Sequence, residues 1–160
     1  MTPEQHQIKS SMQFLGKIHE VYLAALSEFY KVDVNKHLHL QLNKKLCQEI
    51  LYENSRVFLA EGIDEDFEAH PNLLANYANY ETAYYQLVFE IIKKVIKGIK
   101  LISDKDSSIK EIHISGGFNK NLIFISFLKL LKNDIVIKIS DCKNESALGA
   151  ALMMKSYINI

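Results

Sequence analysis

The sequence predicts an α/β fold, rich in helix and carrying a small sheet. Three observations support this: an apolar stripe at helical spacing from Tyr84 to Ile102, an apolar alternation over 109–114 that runs into Gly116-Gly117, and a second apolar run over 135–139. A strand, a helix and a strand in that order, with further helices before them, is the pattern of a layered α/β unit. The 160 residues suffice for one domain and are short for two. Residues 1–10, polar and bearing Pro3, read as a tail, and 11–160 as a single domain.

Ile18, Tyr22, Ala25, Leu26 and Phe29 recur at helical spacing, so a first helix ends near Tyr30, preceded by a short strand or turn over Gln13–Gly16. Asp33 and Asn35 mark a turn. A second, shorter helix carries Leu42, Leu46 and Ile50 on one face and stops at Asn54-Ser55. Val57–Ala60 reads as a strand, Gly62–Glu68 as an acidic loop, and Pro71 as the start of a helical turn.

The next helix is the clearest. Tyr84, Leu87, Val88, Ile91, Ile92, Val95, Ile99 and Ile102 form one stripe, Asn79 is its expected N-cap, and Glu90 and Lys94 form an i,i+4 pair. Lys93, Lys97 and Lys100 crowd its later half, where cations suit the helix dipole. Such a stripe is expected to cover one face of a flat partner. Ser103–Ser108 is turn chemistry, 109–114 a strand, and Phe118–Lys132 a helix with Leu122, Ile125, Leu128 and Leu131 inward and Asn119 as its cap. Ile135, Val136, Ile137 and Ile139 make the second strand, and a last helix runs from about Glu145 to Tyr157.

Composition excludes several functions. Lysine plus arginine equals aspartate plus glutamate at 19 each, so there is no basic excess to condense onto nucleic acid. Arg56 is the sole arginine, so any phosphate must be held by backbone or by lysine point charges. No apolar run reaches the length of a membrane span and the N-terminus lacks a signal-peptide core, so a cytoplasmic location is expected. Cys47 and Cys142 fall in no metal or redox spacing and read as structural.

Two small-residue sites stand out. Gly116-Gly117 between strand and helix admits backbone angles closed to other residues and leaves room for a ligand to approach the chain, although a tight turn alone also needs glycine. The segment Asn144-Glu145-Ser146-Ala147-Leu148-Gly149-Ala150-Ala151 starts a helix with small residues on its best packing positions. Glycine inside a helix costs roughly 0.8 to 1 kcal/mol relative to alanine, so a close contact, with the sheet or with a flat ring, must offset it.

In this order, the run from Ile112 through Gly116-Gly117 to Asn121, a helix, an apolar strand, and then Glu145-Ser146-Ala147-Leu148-Gly149-Ala150-Ala151 resembles the C-terminal domain of the FGGY family of carbohydrate kinases, on its rhamnulokinase and fuculokinase side. The resemblance implies a partial ribonuclease-H-like (actin-like ATPase) domain. In it 11–78 forms a helical, insert-like region and 79–160 a nucleotide-binding core. It implies ATP or ADP as ligand, with magnesium accompanying ATP, and a ketose such as rhamnulose, fuculose or xylulose as acceptor. It places Gly116 and Gly117 against the nucleotide, Asn121 near adenine or ribose, and Glu145, Ser146 and Gly149 on the adenine side.

The sequence departs from the family where it lacks the N-terminal sugar-binding domain, the aspartate base and the phosphate-binding hairpin. Ser126 stands where many members have glutamine, and Leu122 where many have proline. The expectation is therefore the C-terminal piece of a sugar kinase, inactive alone, with the missing sugar-binding domain as partner and a homodimer compatible with it. The alternative is a nucleotide sensor or interaction module without catalysis.

Other chemistry is weaker. His37 and His39 have a spacing that on a strand puts both imidazoles on one side, as a zinc site requires, but no further ligand lies nearby. The acidic run Glu61–Glu68 lacks calcium-loop spacing. His113 alternates onto the less buried face of its strand, and Tyr77, Tyr80, Tyr84 and Tyr85 read as core or contact aromatics.

Overall fold

The computed structural model describes residues 11–53, 71–103 and 109–140. Its regular elements are α1 (Leu15–Tyr30), α2 (Lys44–Glu53), α3 (Tyr80–Ile102), β1 (Glu111–Ile114), α4 (Leu122–Leu131) and β2 (Val136–Ile139). Short 3-10 turns occupy Val34–His39, Pro71–Asn76 and Gly116–Lys120. The chain is thus helix-rich with a small parallel two-stranded sheet. The expected strand at 57–60, the acidic loop and the last helix lie outside the described residues, as do Arg56 and Cys142.

α1 begins at Leu15, so of Gln13–Gly16 the last two residues open the helix, Phe14 is its N-cap, and none forms a strand. It buries Ile18, Tyr22, Leu23 and Leu26, while Phe29, expected on the same stripe, is exposed. The helix stops because Lys31 takes the left-handed conformation at φ 55°, from which its N–H and that of Val32 both reach the Ser27 carbonyl. α2 starts two residues after Leu42. Asn43 Oδ1 accepts the Leu46 N–H at 3.1 Å, and Cys47 and Ile50 turn inward.

α3 is the hub of the fold. Asn79 caps it as expected, its Oδ1 accepting the Thr82 N–H at 2.9 Å. The predicted stripe is buried from Tyr84 to Ile92, but so is every residue from Ala83 to Ile92, including Gln86 and Glu90. The reason is that α1, α2 and α4 all pack against this half of the helix, so it is enclosed by helices and does not lie over one flat face. Each Leu or Ile so enclosed contributes roughly 1.5 to 3 kcal/mol of burial. Gln86 Nε2 donates to Glu90 Oε1 at 2.8 Å, giving that buried carboxyl a hydrogen bond within the core. Lys93 lies over the Phe89 ring, 5.0 Å from its centre.

β1 and β2 pair in parallel, with Glu111 opposite Val136 and Ile114 opposite Ile139, and α4 makes the crossover between them. Ile112, Ile114 and Ile137 join the core. On the other face His113, as expected, is exposed, and Glu111 bridges it at 3.2 Å and Lys138 at 2.8 Å. The hydrogen bonds from Lys138 and His113 hold the Glu111 carboxyl below the usual carboxylate range. Buried residues from 11–53, 71–103 and 109–140 form one continuous cluster. None of the described helices is long and apolar enough to cross a membrane.

Candidate functional site

At the C-terminal end of β1 the chain leaves the sheet through Ser115, in extended conformation, and turns at Gly116, whose φ of +72° is strained for any residue with a Cβ. A 3-10 turn over Gly116–Lys120 follows, so α4 starts at Leu122 and not at Phe118. This moves the cap. Asn121 Oδ1 accepts the Phe124 N–H at 3.0 Å, whereas Asn119, expected to cap the helix, donates through Nδ2 to the Ser140 carbonyl at 2.8 Å. The Asn119 bond fastens the Gly-Gly turn to the residue following β2. Leu122, expected inward, is 63% exposed, because the later helix start rotates it away from α3.

Beside this turn lies a cleft of about 260 Å³. One wall is Gly16 and His19 of α1, another His37 and Leu38 of the Val34–His39 turn with Leu40 just after it, and a third Gly117, Phe118 and Lys120 of the Gly-Gly turn. Tyr84 of α3 and Asn121, Leu122 and Ile123 at the start of α4 complete it. Lys120 is its only lining lysine, and no aspartate, glutamate or arginine appears among the described lining residues. A Cβ built on Gly116 or Gly117 would meet no atom of the described residues within 4 Å, so those residues leave the space above the turn open.

The polar groups of the cleft are ordered by a hydrogen-bond chain. Asn121 Nδ2 donates to the Tyr84 hydroxyl at 2.8 Å, and the Tyr84 hydroxyl lies 3.2 Å from His19 Nε2. Asn121 Nδ2 has only protons to give, so the Tyr84 hydroxyl keeps its own proton free to donate to His19 Nε2. Burial, together with the nearby His37, lowers the His19 pKa to about 4, so the ring is neutral at neutral pH and carries its proton on Nδ1. Burial likewise pushes the Tyr84 phenol well above its ordinary range, with Asn121 opposing the shift. The His37 and His19 rings meet edge to face at 5.5 Å, and Phe118 meets His19 at 5.3 Å.

Of the residues singled out by sequence, Gly117 and Asn121 line the cleft and Gly116 forms the turn at its edge; Glu145, Ser146 and Gly149 lie outside the described residues. Asn121 is spent on structure at both ends of its amide, through the cap and through Tyr84. Ser126 lies against the Cys47 thiol, on the side of α4 away from the cleft lining. Burial raises the Cys47 pKa, which suits its structural reading.

His37 and His39 sit on a 3-10 turn, where residues two apart diverge, so His37 lines the cleft while His39 is exposed. No group of three or more metal-ligating side chains occurs among the described residues. Sequence reasoning missed His19. Its signal was positional, because it sits at i+4 from Leu15 and i−3 from Tyr22, on the flank of the α1 stripe. No family model, curated protein or solved structure matches the chain.

Proposed function

We propose that the cleft beside Gly116-Gly117 binds the adenosine end of ATP or ADP, and that the chain is the C-terminal, ribonuclease-H-like portion of an ATP-dependent carbohydrate kinase acting on a ketose such as rhamnulose, fuculose or xylulose. The observation that carries the reading is the space that the described residues leave open above Gly116 and Gly117 at the C-terminal end of a parallel strand, where α/β folds accept nucleotides. The sequence pattern from Ile112 to Asn121 supports it, and Lys120 supplies a point charge for phosphate at the rim. With no carboxylate among its described lining residues, the cleft offers magnesium no ligand of its own, and the ion enters only with the phosphates of ATP. The general base and the sugar site belong to the sugar-binding domain that the resemblance implies.

The test is ligand-dependent stability. ADP at a hundredfold excess over its dissociation constant should stabilise the chain by about 2.7 kcal/mol, a rise of several degrees in Tm. A folded protein whose unfolding is indifferent to millimolar ADP and ATP would remove the basis for the proposal. Phosphate transfer to a ketose by this chain alone would instead place the chemistry inside it.

A further inference from the structure

Two imidazoles from separate elements line one cleft, and each has a hydrogen-bond partner within the protein that bears on its tautomer. His37 Nδ1 lies 3.0 Å from the Val34 carbonyl, which can only accept, so Nδ1 carries the proton and Nε2 is left as an acceptor. With His19 Nε2 accepting the free phenolic proton of Tyr84, His19 is left with Nδ1–H as a donor. Both rings line the cleft, with centres 5.5 Å apart, close enough for one ligand to reach both.

The remaining polar inventory narrows the ligand. Both ends of the Asn121 amide are engaged, and the Tyr84 hydroxyl both accepts and donates within the protein. Among the described lining residues, Lys120 is, beyond the two imidazoles, the only uncommitted polar side chain. Three side-chain groups are too few for a sugar, whose several hydroxyls would each lose water without a partner. They suit a heteroaromatic base with a donor beside an acceptor, and an anionic group toward Lys120. The Phe118 ring and the leucines of the opposite wall provide apolar contact for its faces. At about 260 Å³ the cleft falls just below the usual range of small-molecule sites, about 300–1,000 Å³, which suits a nucleoside better than a larger ligand.

We infer that this cleft is a nucleobase-reading site, in which His37 Nε2 accepts from an exocyclic amino group and His19 Nδ1–H donates to the neighbouring ring nitrogen, as the edge of adenine presents them. The inference rests on the nucleotide reading above and extends it to the residues that recognise the base. The near-neutral environment fits it, because His19 stays uncharged and acts through hydrogen bonding alone.

The test uses the whole chain labelled with 15N at pH 7.5, with long-range proton-nitrogen correlation of the imidazoles, and adenosine and ADP as separate probes. In the free protein both rings should show the Nδ1–H tautomer. Adenosine should then shift His37 Nε2 and His19 Nδ1. His37→Phe should weaken adenosine about tenfold, and His37→Gln, which keeps an acceptor near the Nε2 position, should restore most of the affinity.

If adenosine binds and ADP does not, the base site stands and the nucleotide reading falls. If both bind with the imidazole nitrogens unmoved and His37→Phe binds normally, the base-reading role is overturned while the nucleotide reading survives. If neither binds the folded chain at millimolar concentration, both are overturned.

Discussion

Asn121 Nδ2 donates to the Tyr84 hydroxyl at 2.8 Å, and the same side chain caps α4 through Oδ1, so one residue starts a helix and pins it to the middle of α3. Loss of such a cap costs about 1 kcal/mol, and a buried phenol left without its donor about 1 more. Asn121→Ala should therefore lower unfolding free energy by about 2 kcal/mol in urea titration. Asn121→Asp keeps the cap acceptor and should lose only part of this. In a Tyr84→Phe background, Asn121→Ala should cost about 1 kcal/mol less than in the native chain, because the shared bond is already gone.

His19 makes stability depend on pH. Its pKa is about 4 in the folded chain against 6.5 unfolded, so between these values the unfolded state binds the extra proton. Its contribution is complete above pH 6.5, falls as the pH drops toward 4, and is on the order of 3 kcal/mol in all. Urea unfolding at pH 7.5 and 4.5 should show this loss, and His19→Asn should flatten it. Glu111, with a lowered carboxyl pKa, loses its stabilising contribution at still lower pH and with the same sign, so Glu111→Gln serves as the control that isolates His19.

The two glycines of the turn should respond differently. Gly116 has φ +72°, and alanine there should cost about 1 kcal/mol or more from left-handed strain. Gly117 lacks a positive φ and has nothing within 4 Å of an added Cβ, so Gly117→Ala should change stability by no more than about 0.5 kcal/mol. If the open space serves a nucleotide, Gly117→Val should weaken ADP binding at unchanged ΔG, measured by calorimetry beside thermal melts. Unaltered ADP affinity in Gly117→Val would make the second glycine irrelevant to ligand.

Gly98 lies under the Gln13 side chain, whose Nε2 donates to the Lys94 carbonyl at 3.1 Å. A Cβ at 98 would collide with that amide, so Gly98→Ala should trade a helix gain of about 0.8 to 1 kcal/mol for the lost bond and come out near zero or below. In a Gln13→Ala background the same substitution should stabilise by up to about 1 kcal/mol. Denaturant midpoints of the native chain, the two single variants and the double variant measure the coupling.

Local chemistry was enough to determine several features. Asn79 as the cap of α3, the end of α1 near Tyr30, the strand-turn-helix-strand order around Gly116-Gly117 and the outward face of His113 follow from neighbours within a few residues. Only the tertiary structure decided that α3 is enclosed by helices, because Gln86 and Glu90 carry no apolar signal and are buried by what α1, α2 and α4 bring to them. It likewise chose Asn121 over Asn119 as the cap, since Asn119 finds its partner at Ser140, 21 residues away. The cleft was illegible for the same reason. His19 meets Tyr84 across 65 residues and Tyr84 meets Asn121 across 37, and no pattern of local periodicity encodes a hydrogen bond whose partners come together only when three helices pack.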